Sequence, residues 1–250
     1  GEFYSEELLY QMFGINAELL IDHAWGYEPC TIAQIRAYKP QSSSLGCGQV
    51  LHCPYTADKA RIVVQEMIDG ISLELVEKRL VTDQLVLTVG YDIENLTRPE
   101  IRKVYKGPVT TDRYGRRVPK HAHGTWNLPR ATSSSSELLE AMAALYDKIV
   151  NPALLIRRMS LSACHVVNEK MAKEREQKET FEQLDLFTDY AKKEAKEKEE
   201  QKKRERERRM QEALLTIKKK YGKNAVLRGM NFEEGATAKE RNGQIGGHQA

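Results

Sequence analysis

Nine lysines and arginines lie between positions 98 and 130 (Arg98, Arg102, Lys103, Lys106, Arg113, Arg116, Arg117, Lys120 and Arg130), against only Glu100 and Asp112. Residues 57–94 have the opposite balance, with four basic and eight acidic side chains. A domain charged this way has an electrostatic direction, and its basic side suits a phosphate backbone. His121 and His123 flank Ala122 in this stretch. No nearby Cys or acidic residue completes a metal set, so they read as solvated or phosphate-facing. Cys30, Cys47, Cys53 and Cys164 lack zinc-ligand spacing and read as reduced cytosolic thiols.

A second group is apolar. Gln183-Leu184-Asp185-Leu186-Phe187 is an island in a stretch, from Glu169 to Lys220, where nearly every other residue is charged. Such a stretch has too little apolar area to offset the entropy of ordering it. The island is therefore either a turn of helix resting on the body of the chain or a linear peptide that docks in a partner's groove. In the second case Leu184, Leu186 and Phe187 are the anchors.

The elements that would position these groups follow from periodicity. Ser5 caps a short helix to Phe13, ended by Gly14, and a second runs from about Asn16 to Trp25. The pair looks like the end of a helix-hairpin-helix region whose first half is missing, so the chain is expected to start inside a domain. Residues 27–43 read as a linker, because Pro29 and Pro40 oppose helix and a polar run follows.

A compact unit comes next. Ser44–Leu51 reads as a strand, and Thr56 caps a long helix to about Leu80 with Ala60, Val64, Met67, Ile68, Ile71 and Leu75 on its buried stripe. Gln84–Tyr91 alternates as a strand. The basic stretch is a long loop or hairpin, closed by a strand from about His123 to Leu128. Ser134 and Glu137 form a capping box for a second helix, broken at Asn151-Pro152, and a last strand covers Leu155 to about Val166.

The order β-α-β-β-α-β predicts an α+β, two-layer sandwich: a four-stranded sheet with both helices on one face. The other face is left uncovered, with Thr125, Arg158, Ser160 and Ser162 among its candidates. Short helices precede this unit, and a charged tail, extended or helical, follows it. Residues 189–212 are either one solvated helix stitched by i,i+4 pairs or a tether. They show no coiled-coil heptad, and a short amphipathic patch, Leu214, Leu215, Ile217 and Tyr221, comes after them.

At 250 residues, 40% hydrophobic and 30% charged with a net charge of +3, the chain suits one or two domains plus something extended. No apolar run is long enough to span a bilayer and no signal-peptide pattern opens the chain, so no membrane partner is expected.

The run Phe13-Gly14-Ile15-Asn16-Ala17-Glu18-Leu19-Leu20-Ile21-Asp22-His23-Ala24-Trp25-Gly26 resembles the end of the thumb in Y-family translesion DNA polymerases of the UmuC type. Leu85-Val86-Leu87-Thr88-Val89-Gly90-Tyr91-Asp92 and Pro119-Lys120-His121-Ala122-His123-Gly124-Thr125 resemble parts of their little-finger domain. Gln183–Phe187 is similar to the motif by which bacterial polymerases hold the sliding clamp, and the tail to that of Gram-positive members.

The resemblance implies four parts: 1–26, the end of a thumb; 27–43, a linker; 44–168, a DNA-binding little finger; and 169–250, a charged tail bearing the clamp motif. It further implies an error-prone polymerase of SOS damage tolerance, bacterial, cytoplasmic and nucleoid-associated, with a recombinase filament as a further candidate partner. Polymerases of this family join nucleotides with Mg2+ held by palm carboxylates. The palm would lie before residue 1, so no catalytic residue is assigned and the chain by itself is expected to bind DNA and a clamp without polymerising.

A lesion-tolerant enzyme must hold primer–template DNA through phosphates, which position without specifying sequence. The candidates are Arg36, Lys39, Ser42, Ser43 and Ser44, then Lys103, Lys106, Arg113, Arg116, Arg117 and Lys120, with Arg157 or Arg158 on the last strand. For the clamp they are Gln183, Leu184, Asp185, Leu186 and Phe187, the glutamine at the pocket rim and Leu186 and Phe187 in the cleft. Two other classes remain open: a stand-alone nucleic-acid-binding module, and a protein-interaction adaptor whose basic loop meets an acidic partner.

Overall fold

Leu85, Leu87 and Val89 are completely buried, while Val86 and Thr88 between them are only half-buried. That alternation lays one side of a strand on a core and leaves the other to solvent. The computed structural model describes residues 5–28, 30–38, 43–112, 115–179, 190–245 and 248–249, in two compact units, Gly1–Gln41 and Ser42–Ala250.

In the second unit, β1 (Leu45–Tyr55), α4 (Ala57–Lys78), β2 (Leu80–Tyr91), β5 (Ala122–Thr132), α7 (Ser135–Ile149) and β6 (Ile156–Cys164) follow the expected β-α-β-β-α-β order. The strands pair antiparallel in the order β1-β6-β2-β5, and a two-residue strand, β7 (Val167–Asn168), extends β2. Each helix thus connects two parallel strands with one antiparallel strand between them. Both helices lie on one face, where Val64, Met67, Ile68 and Leu75 of α4 and Leu138, Met142 and Leu145 of α7 join the buried sides of β2 and β6. Fully burying one such side chain contributes about 1.5–3 kcal/mol.

Close packing has a sequence cause at Gly124. A Cβ there would stand 2.7 Å from Ile149 Cγ2 and 2.9 Å from Leu145 Cδ1, so the glycine lets α7 approach β5. The N-terminus of α7 carries half of the expected capping box. Ser134 Oγ accepts from the Glu137 N–H at 3.3 Å, but the Glu137 carboxylate pairs with Arg130 instead of returning to Ser134.

Between β2 and β5 the basic stretch is more ordered than a loop. It forms two short helices, α5 (Glu94–Thr97) and α6 (Pro99–Val104), then a hairpin of β3 (Val109–Thr111) and β4 (Arg117–Pro119). Asn95, completely buried, ties α5 to the start of β6 by donating to Leu155 O and accepting from Leu155 N.

The C-terminal segment departs most from expectation. After α8 (Glu169–Glu179), α9 (Tyr190–Tyr221) is one long helix whose second half docks on the helical layer rather than standing in solvent. Gln211, 1% exposed, donates to Ser133 O and Ser135 Oγ at 3.0 and 2.8 Å. Residues 222–243 then fold over α4, where the Glu66 carboxylate, itself 3% exposed, accepts from Asn231 Nδ2 and the Thr237 and Ala238 N–H groups. Of the amphipathic patch, Leu214 and Leu215 are half-buried, while Ile217 and Tyr221 are exposed. Among the described residues no helix is long and apolar enough to cross a membrane.

The first unit holds α1 (Glu6–Phe13), capped by Ser5 Oγ on the Leu8 N–H at 3.2 Å, and α2 (Asn16–Ala24), which follows a Gly14 of φ 57°. The expected linker contains a third helix, α3 (Ile32–Ala37), started by a reciprocal Thr31–Gln34 capping box. Pro29 precedes that cap and Pro40 follows the helix, so neither proline opposes it.

Candidate nucleic-acid interface

Antiparallel register sets the uncovered face of the sheet in rows. Gly48, Ser160, Thr88 and His123 form one row, Gly46, Ser162, Val86 and Thr125 the next, and Cys164, Gln84 and Asn127 a third. Glycines and short hydroxyl and amide side chains give this face low relief and many hydrogen-bonding groups. Two cross-strand bonds order it: Thr88 Oγ1 with His123 Nδ1 and Gln84 Nε2 to Asn127 Oδ1, each 2.9 Å. At one end Val50, Arg158 and Gly90 make a further row, and Arg158 lies across Gly90, where a Cβ would fall 2.5 Å from its Cγ.

That last row floors a cleft of about 720 Å³ whose wall is the β3–β4 hairpin, with Thr110, Asp112, Arg116 and Val118 facing Arg157, Arg158 and His121. Its basic groups are not equivalent. Arg116 pairs with Asp112 at 2.8 Å, Arg98 with Glu94 at 2.5 Å, and Arg157 stands 3.8 Å from Asp92 while donating to His52 O at 3.0 Å. These arginines are partly neutralised and fixed, and they hold the rim in shape. Among the described residues, Arg102, Lys103, Lys106, Arg117, Lys120 and Arg158 are exposed and have no carboxylate within ion-pair distance.

The structure therefore sorts the sequence candidates. Arg157 and Arg158 on β6 line the cleft, Arg117 and Lys120 lie on and just after β4 next to its lining residues, and Lys103 on α6 lines a separate depression with Arg102, with Lys106 just after that helix. Arg116 is paired with Asp112, its Nε donating at 2.9 Å. The Ser43 hydroxyl donates to Val166 O and its carbonyl accepts from the Val166 N–H at 3.1 Å, pinning the start of β1 to the end of β6. Ser44 is exposed beside it, and Arg36 is exposed in the last turn of α3, in the other unit. Lys39, Ser42, Arg113 and the pentapeptide Gln183–Phe187 lie outside the described residues.

Sequence reasoning missed Gly46, Gly48, the Thr88–His123 pair and the acidic half of the rim. The strand alternation carried the first three, since every second residue from Gly46 and from Gln84 shares a face. Nothing in the spacing marks which arginine meets Asp112 or Asp92. Among the described residues no three His, Cys, Asp or Glu side chains converge to hold a metal ion.

Burial shifts a few groups away from this face. It raises the Cys47 thiol, on the helix side of β1, and it raises the Asp69 carboxyl against the opposing pull of Arg228, 2.8 Å away. Burial also lowers the Lys218 ammonium nearby. The Asp69 and Lys218 shifts belong to the docking of the tail.

No protein-family model and no curated protein matches the chain. Among solved structures, a "Complex of beta-clamp processivity factor and little finger domain of PolIV" is similar over 58% of this chain and 100% of that chain, at 9% identity and a TM-score of 0.33. A likeness of that strength carries no argument, and the reading of the site rests on the open face and its basic rim.

Proposed function

We propose that this chain is the DNA-gripping region of a Y-family, UmuC-like translesion polymerase, with residues 44–168 as its little finger and residues 1–26 as the end of its thumb. The observation that carries the DNA-binding part is the uncovered, low-relief polar sheet face, which bears the exposed Arg158 at one end beside the basic β3–β4 hairpin. Hydroxyl groups of Thr125, Ser160 and Ser162 would donate to phosphate oxygens, and Lys103, Lys106, Arg117, Lys120 and Arg158 would neutralise them. The two amides on the face, Gln84 and Asn127, are engaged with each other, so in this reading binding goes through phosphates and is sequence-independent, as tolerance of damaged templates requires. Gln183–Phe187 supports the recruitment part by its residue pattern: in this reading Leu186 and Phe187 fill the clamp's cleft and hold the enzyme near the primer terminus at high effective concentration. The chain supplies grip and recruitment, and Mg2+-dependent nucleotidyl transfer is the work of the polymerase's palm.

The test is a fluorescence titration of the full chain against two duplexes of unrelated sequence. Roughly five phosphate contacts at the sheet face contribute about −4 to −5 to the slope of log K against log salt. Arg117→Glu with Lys120→Glu weakens binding to both duplexes alike. Loss confined to one sequence overturns the phosphate-backbone reading.

A further inference from the structure

The charged helix α9 carries thirteen lysines and arginines against seven glutamates, and docking pairs some of these charges with the domain. From residue 198 onward, the side facing the domain carries both signs: Glu207 accepts from Ser134 Oγ and from the Ser136 N–H and Oγ at 2.6, 2.8 and 3.0 Å, and Arg208 donates to Ser133 Oγ and Glu169 at 3.1 and 3.3 Å. Glu212 accepts from Arg208 at 3.1 Å and Glu200 from Arg204 at 3.2 Å. On the opposite side, positions 202, 206, 209, 213, 216 and 220 follow one another at steps of four and three and fall in one line along the helix. They are Lys202, Arg206, Arg209, Ala213, Thr216 and Lys220, all exposed, with four cations and no acid. Glu199 and Glu205 border this line, and Glu205 accepts from Gln201 at 3.3 Å.

At 1.5 Å per residue the line is about 27 Å long, roughly the rise of eight base pairs, and its first three cations stand about 6 and 4.5 Å apart along the axis. Lys202, Arg206 and Arg209 make a straight one-signed row that matches a phosphate backbone, and Lys220 follows about 16.5 Å further along the same line. A bilayer surface fits it less well: the line carries only Ala213 and Thr216 between its cations, and the exposed Met210, Ile217 and Tyr221 beside it are too scattered to make a continuous apolar face. The row sits on a helix docked against α4 and the Ser133–Ser136 turn, on the helical side of the sheet, away from the open face.

We propose that the outer line of α9 is a second nucleic-acid track, which holds duplex DNA through phosphates independently of the sheet face. The chain then offers phosphate-binding surfaces on two opposite sides. It can grip one bent duplex or two duplex segments, which the sheet face alone cannot do.

The test uses the full chain with Lys202→Gln, Arg206→Gln and Arg209→Gln together, titrated against a duplex of about 30 base pairs over a range of salt. The expected result is a log–log salt slope shallower by roughly 3, equal for two unrelated sequences. Helix content and amide protection of the docked half of α9 stay at wild-type values, since all three side chains are exposed. An unchanged slope in this folded variant overturns the proposal. So does loss of binding to phosphatidylserine vesicles with the DNA slope intact. Failure of the triple variant to matter while Ser160→Glu on the sheet face abolishes binding refutes the second track and spares the sheet face, and the reverse pattern does the opposite.

Discussion

Glu66→Ala removes the carboxylate that closes the C-terminal segment over α4. In the native chain its oxygens accept from Asn231 Nδ2 at 2.7 Å, from the Thr237 N–H at 2.8 Å and from the Ala238 N–H at 3.0 Å. Thr237 and Ala238 are each 8% exposed, so both amides lose their acceptor in a place that water hardly reaches. An orphaned buried donor costs about 1–3 kcal/mol, and two of them at about 1.5 each give about 3 kcal/mol. The cheapest relief is release of residues 222–243, because they supply little of the core and alanine is a good helix former at position 66. Native-state hydrogen exchange should then show residues 222–243 exchanging about 100-fold faster, with the amides of β2 and β6 unchanged. Glu66→Gln, which keeps one oxygen acceptor, should fall between. Wild-type exchange in residues 222–243 of the alanine variant refutes the clasp. Equal acceleration in the central strands refutes its local character.

Other outcomes follow from the same contacts. Gly124→Val drives a side chain into Leu145 and Ile149 and should cost about 1–3 kcal/mol in urea unfolding, and an unchanged midpoint contradicts the close β5–α7 packing. The Asp69 carboxyl is raised above 3.8 by burial, so the folded chain binds its proton more tightly than the unfolded chain does. Stability contributed by Asp69 is therefore present at low pH and is lost as pH rises from 3.8 through the raised value, and Asp69→Asn should remove that downward slope from a stability–pH profile. Leu186→Ala with Phe187→Ala should abolish capture by a sliding clamp, since buried anchors are worth about 2 kcal/mol or more each, while leaving DNA titrations unchanged. Capture at the wild-type level removes the clamp assignment.

The two-layer sandwich was legible because each of its elements has a strong period: Leu85, Leu87 and Val89 alternate, and Ala60, Val64, Met67, Ile71 and Leu75 recur at helical spacing. The open face was legible for the same reason, through Thr125, Ser160 and Ser162. The docking of α9 and the tail was not, because polar groups hold it: Gln211 on Ser133 and Ser135, Glu207 on Ser134 and Ser136, and Glu66 on Thr237. Such bonds depend on register between segments far apart in sequence and leave no hydropathy signal. The same is true of the rim, where composition counts Arg116 and Arg157 as free charge and the fold sets Asp112 and Asp92 beside them. The α3 helix was hidden by prolines that flank it without entering it, although the Thr31–Gln34 spacing carried its start signal.

The central claim is that the uncovered sheet face holds a phosphate backbone. Ser160 and Thr125 are exposed on that face, on β6 and β5, and their side chains point away from the core. Ser160→Glu with Thr125→Glu places two negative charges there without disturbing the packing. The most direct measurement is the affinity of this double variant for duplex DNA at fixed salt, beside the wild-type chain and with unfolding midpoints matched. The account predicts binding weakened by at least about tenfold, by similar factors for unrelated sequences. Wild-type affinity in the folded double variant would contradict it.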